Sequence, residues 1–192
     1  YGPLGIIALP GTEALAAKID NYLVKWRAEQ AAAHKENIAF YGYQRDTYLI
    51  DTTIARFGSG EGKAVINDSI RGYDLYIIVD CFNYSVKYNM YGMEVPKSPD
   101  DHFSDLKRVI SAASSKAKRI NVIMPMLYEG RQHKRSSRES LDCAMALQEL
   151  TTLGVENIIT FDAHDQRVQN SIPHKSFENV MPTYQMIKAI VH

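Results

Sequence analysis

Cysteine is scarce in this sequence: Cys81 and Cys143 are the only two in 192 residues, and neither sits in a CxxC pair. That excludes a disulfide framework. Both fall inside apolar stretches and read as buried free thiols, which suits a reducing cytoplasm. An excess of charge is missing too, with 22 Lys+Arg against 22 Asp+Glu. No basic field is offered to nucleic acid or to an anionic membrane, so any anion site has to be local. No apolar run approaches the length needed to cross a bilayer. The start, Tyr1-Gly2-Pro3-Leu4, has neither an initiator Met nor the charged segment of a secretory signal. There is no Walker A loop, no GxGxxG behind a strand, no assignable Ser/His/Asp set, no internal repeat and no low-complexity linker.

What is present is ordinary globular material. The apolar fraction is 45% and the charged fraction 23%, enough for one domain with a normal core. Leu4–Leu9 is a short apolar run closed by Pro10-Gly11, a first strand and turn. Thr12 is placed to cap a helix whose inner face would be Leu15, Ile19, Tyr22, Leu23 and Trp26. A polar, Ala-rich stretch, Ala28–Asn37, follows. Thr47–Thr53, Ile54–Phe57 and Ala64–Ile66 are β-branched or aromatic, with Gly58, Gly60 and Gly62 between them. They predict antiparallel strands around a Gly-rich turn.

From residue 74 the pattern changes. Asp74–Asp80, Ile120–Met124 and Asn157–Phe161 are nearly continuous apolar runs, as expected of strands buried on both faces. Residues 81–99 read as a long aromatic loop. Ser98 or Asp100 starts a helix with Phe103, Leu106, Ile110 and Ala113 inside. Ser136 and Glu139 have capping-box spacing for another helix, with Leu141, Ala144, Leu147 and Leu150 inside and Gly154 at its end. Pro182 opens a last helix through Val191. This alternation predicts an α/β fold: a mainly parallel sheet with helices on both faces, plus a small antiparallel element. The ending shortly after a helix, with no closing strand, suggests that more chain follows.

Ligands of open parallel sheets sit beyond the carboxyl ends of the strands. Two segments qualify. Tyr128–Arg135 holds Arg131, His133, Lys134 and Arg135 just before an expected helix start, a combination that suits phosphate oxygens; its bland alternative is a solvated basic loop. Asp162-Ala163-His164-Asp165 follows the strand Asn157–Phe161. It suits a divalent cation or proton transfer, or else a turn capped by its own Asp. Gly58–Gly62 reads as a hairpin turn. His34, His102, His174 and His192 are scattered and read as surface or structural residues.

Taken together, several of these pieces resemble the ribose-phosphate pyrophosphokinases. Phe57-Gly58-Ser59-Gly60-Glu61 stands where that family carries Phe-x-Asp-Gly-Glu. Ser69-Ile70-Arg71-Gly72 precedes a buried strand as its Ser-x-Arg-Gly does. Pro125 through Arg131-Gln132, Arg138-Glu139 with Ala144, and Asp162-Ala163-His164 complete the order. The resemblance runs from about Leu4 to His192 and covers the family's N-terminal half. It implies a phosphoribosyltransferase-like domain spanning 1–192 of a larger cytoplasmic enzyme. That enzyme would transfer diphosphate from ATP to ribose 5-phosphate with Mg²⁺, as a homo-oligomer that binds neither nucleic acid nor membrane.

Carried over residue by residue, the resemblance places Phe57, Ser59 and Glu61 at the adenine site, typically across a subunit contact. Arg131 and Gln132 would hold ATP, His164 would contact Mg²⁺, and Arg71 would belong to a regulatory phosphate site. The family usually has Asp at position 59, Asp at 133 and a small residue at 165, where this chain has Ser59, His133 and Asp165. These departures motivate an alternative, a non-catalytic paralogue that assembles with active subunits. The family's acidic, Thr/Gly-rich ribose-phosphate loop and its flexible basic loop do not occur in these residues, so catalysis is not expected of the chain alone.

Overall fold

The computed structural model describes residues 2–33 and 45–191. In chain order its elements are β1 (Leu4–Ala8), α1 (Glu13–Ala33), β2 (Thr52–Arg56), β3 (Gly62–Ile66), β4 (Asp74–Ile78), β5 (Lys87–Met90), β6 (Met93–Pro96), α2 (Pro99–Ala113), β7 (Arg119–Ile123), α3 (Asp142–Thr152), β8 (Val155–Phe161), β9 (Ser176–Val180) and α4 (Thr183–Val191). Five strands form one sheet in the order β1-β4-β7-β8-β9. Every neighbouring pair in it is parallel.

Side chains alternate across a strand, so consecutive apolar residues serve opposite faces. Ile7 and Ile77 point into the larger core with Val122 and Ile158, under Phe103, Leu106 and Ile110 of α2 and Cys143, Leu147 and Leu150 of α3. Ile6 and Ile78 turn to the other side, where Ala16 of α1 and Tyr48 meet them. Helices therefore cover both faces, which is why the central strands read as unbroken apolar runs. α4 presents no buried side chain. Among the described residues, no helix is long and apolar enough to cross a membrane.

Four local expectations are corrected. First, α1 buries only part of the predicted stripe: Ile19 and Leu23 pack against the core, but Leu15, Tyr22 and Trp26 are 39%, 69% and 46% exposed. It buries Ala16 and Asp20 instead. The Asp20 carboxylate accepts from the Tyr48 backbone N–H at 2.7 Å and the Thr47 hydroxyl at 2.8 Å. It thereby holds the segment that runs beside β1, where Ile6 and Ile50 exchange backbone hydrogen bonds with 48 and 6. A polar anchor chose the face. The Thr12 hydroxyl donates to the Leu9 and Ile78 carbonyls rather than capping the helix. Part of the Ala28–Asn37 stretch, with His34 and also His192, lies outside the described residues; up to Ala33 it is helix.

Second, residues 81–99 are not a loop throughout, because β5 and β6 pair as an antiparallel hairpin. Tyr91 and Gly92 at its tip have φ of 49° and 83°, and Asn89 Oδ1 accepts from the Gly92 N–H at 2.9 Å. Two left-handed residues make a tight hairpin turn, but Tyr-Gly lacks the Asn-Gly signature that advertises one. Third, α3 starts at Asp142 with no side-chain cap. Ser136 and Glu139 form only one local bond, Ser136 N–H to Glu139 Oε2 at 3.2 Å. The full capping box is at α2, between Ser98 and Asp101. Fourth, Ser176–Val180 is a strand, β9, that the sequence pattern does not announce. Its sequence, SFENV, is half polar and exposed on alternate residues, as an edge strand is, and only its pairing with β8 defines it.

The two hairpins are fastened to α2 by buried charge. Asp105 is fully buried. Its carboxylate accepts from Lys97 at 2.7 Å, Arg108 at 2.7 Å and Arg56 at 3.1 Å. Arg56 comes from β2 and also donates to the Gly60 carbonyl at 2.9 Å. Lys97 follows β6, so one carboxylate gathers both hairpins.

A second ion pair crosses the sheet's amino edge. Arg119 Nε donates to Asp74 Oδ1 at 2.9 Å, and that bond is the main reason the Asp74 carboxyl titrates below its ordinary value of 3.8. A carboxylate with a depressed folded pKa contributes stability above its unfolded pKa and loses it as pH falls through the folded one. Asp74→Asn is expected to cost about 1 kcal/mol at neutral pH, kept small by the half-exposed Arg119. It should also flatten the decline of stability below pH 3.8, as read from urea midpoints across pH. An unchanged acid limb would overturn this assignment.

Candidate functional site

The segments that leave the carboxyl ends of β4, β7 and β8 enclose a cleft of about 750 Å³. Phe82 follows β4; Pro125, Met126 and Leu127 follow β7; Phe161, Asp162, Ala163 and His164 end or follow β8. Glu129, Gly130, Arg131 and Gln132 line it from the loop after β7, and Arg131 is the cation among these four. Both segments singled out from sequence therefore meet here, at the place where parallel sheets bind ligands.

The Tyr128–Arg135 loop is held from below. Tyr128 stacks on Phe103 with ring centroids 4.3 Å apart and 10° between planes. Its hydroxyl donates to Asp100 Oδ1 at 2.6 Å. Burial and that bond raise the Tyr128 pKa well above the usual phenol value. Gly130 N–H donates to the Leu127 carbonyl at 3.1 Å and Gln132 N–H to the Glu129 carbonyl at 2.8 Å. The Cys143 N–H, in the first turn of α3, donates to the Gln132 carbonyl at 3.2 Å. That helix end is thus tied to the loop's own backbone, and α3 begins seven residues beyond Arg135 rather than directly behind the basic cluster. What the loop offers an anion is side chains. Arg131 lines the cleft and has no hydrogen-bond or ion-pair partner among the described residues.

Glu129 and Asp162 have φ of 55° and 46°. Left-handed conformations are costly for residues other than glycine and cluster where a site needs them. Both of these residues line the cleft. Burial first, then Asp142 and Asp100, raise the Glu129 pKa.

Of the Asp162-x-His164-Asp165 set, Asp162 and His164 line the cleft and Asp165 does not. Asp165 is taken by Arg167, Nη2 to Oδ2 at 2.6 Å, which depresses its pKa strongly. Among the described residues no group of three His, Cys, Asp or Glu is arranged to hold a metal. A carboxylate and an imidazole at a cleft that also carries a guanidinium without a partner among the described residues do fit Mg²⁺ arriving with a phosphate ligand, since that ion keeps only one or two protein contacts.

The other expected residues lie elsewhere. Phe57, Ser59 and Glu61 form the β2–β3 turn: the Ser59 hydroxyl donates to Glu61 Oε2 at 2.8 Å, and Phe57 is 52% exposed. None of the three lines the cleft. The turn touches the second hairpin, where the Tyr91 N–H donates to the Gly58 carbonyl at 3.0 Å. Arg71 lines a separate pocket of about 310 Å³ with Ser69 and Lys116. His102 is buried and structural, its Nε2 donating to the Asn83 carbonyl at 2.9 Å. Cys81 and Cys143 are buried free thiols, raised by burial to about 12 and about 11.

The family of the N-terminal domain of ribose phosphate pyrophosphokinase matches residues 4–154. The chain belongs to that family. Ribose-phosphate pyrophosphokinase B of Dictyostelium discoideum is 30% identical over 148 residues, 76% of this chain and 40% of that protein. The ribose-phosphate pyrophosphokinase of Vibrio vulnificus strain YJ016 is 27% identical over 124 residues, 63% of this chain and 35% of that protein. The chain spans less than half the length of the curated relatives it matches. Phosphoribosylpyrophosphate synthetase from Mycobacterium smegmatis shares the fold, with a TM-score of 0.69 at 18% identity over 98% of this chain and 51% of that one. The family match takes in Phe57, Ser59, Glu61, Arg71, Arg131 and Gln132, and His164 lies beyond its last residue.

Proposed function

We propose that residues 1–192 are the ATP-side domain of a cytoplasmic, homo-oligomeric ribose-phosphate pyrophosphokinase, which transfers diphosphate from Mg-ATP to ribose 5-phosphate. The observation that carries this reading is the cleft, which Arg131, with no hydrogen-bond or ion-pair partner among the described residues, lines together with Asp162 and His164. Transfer of a phosphoryl-type group is catalysed mainly by positioning and charge neutralisation, which such a site can supply.

In this reading Arg131 and Gln132 hold the polyphosphate, while His164, with Asp162 beside it, holds Mg²⁺. The cation would screen phosphate charge. The exposed Phe57 turn, with Ser59 and Glu61, does not line this cleft and would serve the adenine bound to a neighbouring subunit. Arg71, with Ser69 and Lys116, would take a regulatory phosphate. Ribose 5-phosphate would bind outside these 192 residues, so the chain alone would bind Mg-ATP without forming product. A second reading, a regulatory paralogue, is favoured by one observation: His133 and Asp165, both departures from the family pattern, touch each other beside the cleft.

The test is calorimetric titration of this chain with Mg-ATP. Arg131→Ala removes a charge-assisted contact and is expected to weaken binding roughly tenfold or more. Equal binding by wild type and variant would sink the assignment of this loop. Product formation by the complete gene product, with none by these residues alone, would separate the enzyme from the paralogue.

A further inference from the structure

The two loops that line the cleft touch through His133. Its side chain is only 9% exposed and its Nε2 lies 3.4 Å from Asp165 Oδ2. Its ring meets that of His164 edge-on, with centroids 5.2 Å apart and 75° between planes. Nδ1 is buried and has no hydrogen-bond partner among the described residues. Asp165 is also held by Arg167, whose Nη2 donates at 2.6 Å to Oδ2, the oxygen nearest His133. Arg167 donates Nε to its Oδ1 at 3.0 Å, and the Arg167 backbone N–H donates to the same oxygen at 2.9 Å. The carboxylate is thus an anchored post, and His133 reaches it from the loop that carries Arg131 and Gln132.

Burying an imidazole with one nitrogen unsatisfied is unfavourable for folding alone. A leucine would fill the same space without that penalty. The arrangement makes sense if the cross-loop contact matters. We propose that His133 is a positioning residue for the metal–nucleotide chelate: it holds the His164 ring by its edge and ties the cationic loop to Asp165. The phosphate-binding and metal-binding sides are then kept at one separation. This rests on the reading of the cleft as a Mg-ATP site.

The consequence is a specific discrimination. A chelate of nucleoside triphosphate and divalent cation touches both loops at once, whereas the metal-free nucleotide needs only the cationic one. Loss of the strut should therefore weaken the chelate and spare the free nucleotide.

The experiment titrates this chain with Mg-ATP, and with ATP in excess EDTA, for wild type, His133→Ala, His133→Leu, Asp165→Ala and the His133→Leu/Asp165→Ala double variant. Each single change is expected to weaken Mg-ATP about tenfold, or about 1.4 kcal/mol, and ATP in EDTA less than about twofold. The double variant should lose no more than either single one, because both break the same contact. His133→Leu keeps the volume, so a loss shared with His133→Ala is not a cavity effect. His133→Gln, which returns a donor to Asp165, should recover part of the affinity. Equal losses for both ligand forms, or additive losses in the double variant, would overturn the strut. If Arg131→Ala loses binding while the His133 variants do not, only this inference fails. If wild type binds neither ligand, the reading of the cleft fails and takes the strut with it.

Discussion

Asp105→Ala is expected to lose roughly 3–5 kcal/mol of stability, the range for removing one member of a buried ion pair. The loss is large because of what stays behind. Lys97, whose side chain is 4% exposed, would keep its charge without this acceptor, while Arg56, 7% exposed, would retain Asp101 Oδ1 at 3.1 Å. Arg108 is more exposed and recovers water more easily. In a chain of this size the melting temperature should fall by roughly 10 °C. Asp105→Asn keeps the shape and an accepting oxygen, so its loss should be intermediate. Both hairpins should loosen together, visible as faster amide exchange in β2–β3 and β5–β6 than in the parallel sheet. A urea midpoint for Asp105→Ala within experimental error of wild type would refute the fastening role.

Phe103→Ala should be comparably severe, at roughly 3–5 kcal/mol for truncating a buried phenylalanine. Phe103 is 4% exposed and belongs to the main core. Its second role is as a platform for Tyr128, stacked at 4.3 Å. Without it, Tyr128 keeps its hydroxyl bond to Asp100 and its backbone N–H bond to Met124 Sδ, but the Tyr128–Arg135 loop loses the ring on which Tyr128 stacks. On the proposed function, the variant should therefore lose Mg-ATP affinity beyond what its folded fraction accounts for, measured at a temperature where it remains folded. Phe103→Leu should restore most of the stability and less of the affinity, because it fills the core without offering a flat ring. Equal recovery of both would show that the stack is only packing.

Much of the fold was readable because it is written locally. The apolar runs at Asp74–Asp80, Ile120–Met124 and Asn157–Phe161 became β4, β7 and β8, and the Gly-rich turn between Ile54 and Ala64 became the β2–β3 hairpin. Gly154, with φ of 99°, stands directly behind α3. The elements that escaped lack such marks. The tip of β5–β6 is Tyr-Gly, and β9 is a half-polar edge strand. For the site, two loops were visible from composition and their places behind strands. Their meeting in one cleft follows from β7 and β8 being neighbours, which order along the chain suggests but does not establish.

What the sequence by itself determined is the alternation of strand and helix, the continuous core runs and the family pattern. Each is set by residues within a few positions of one another, where backbone preference and side-chain period act directly. Only the tertiary structure decided that α1 turns Asp20 inward, that one buried carboxylate gathers two hairpins, that Asp165 leaves the cleft to Arg167, and that His133 meets it. Those outcomes depend on polar groups far apart in the chain. Burying a charge is unfavourable until a partner is in place, and which partner arrives is settled by how the sheet and its loops pack.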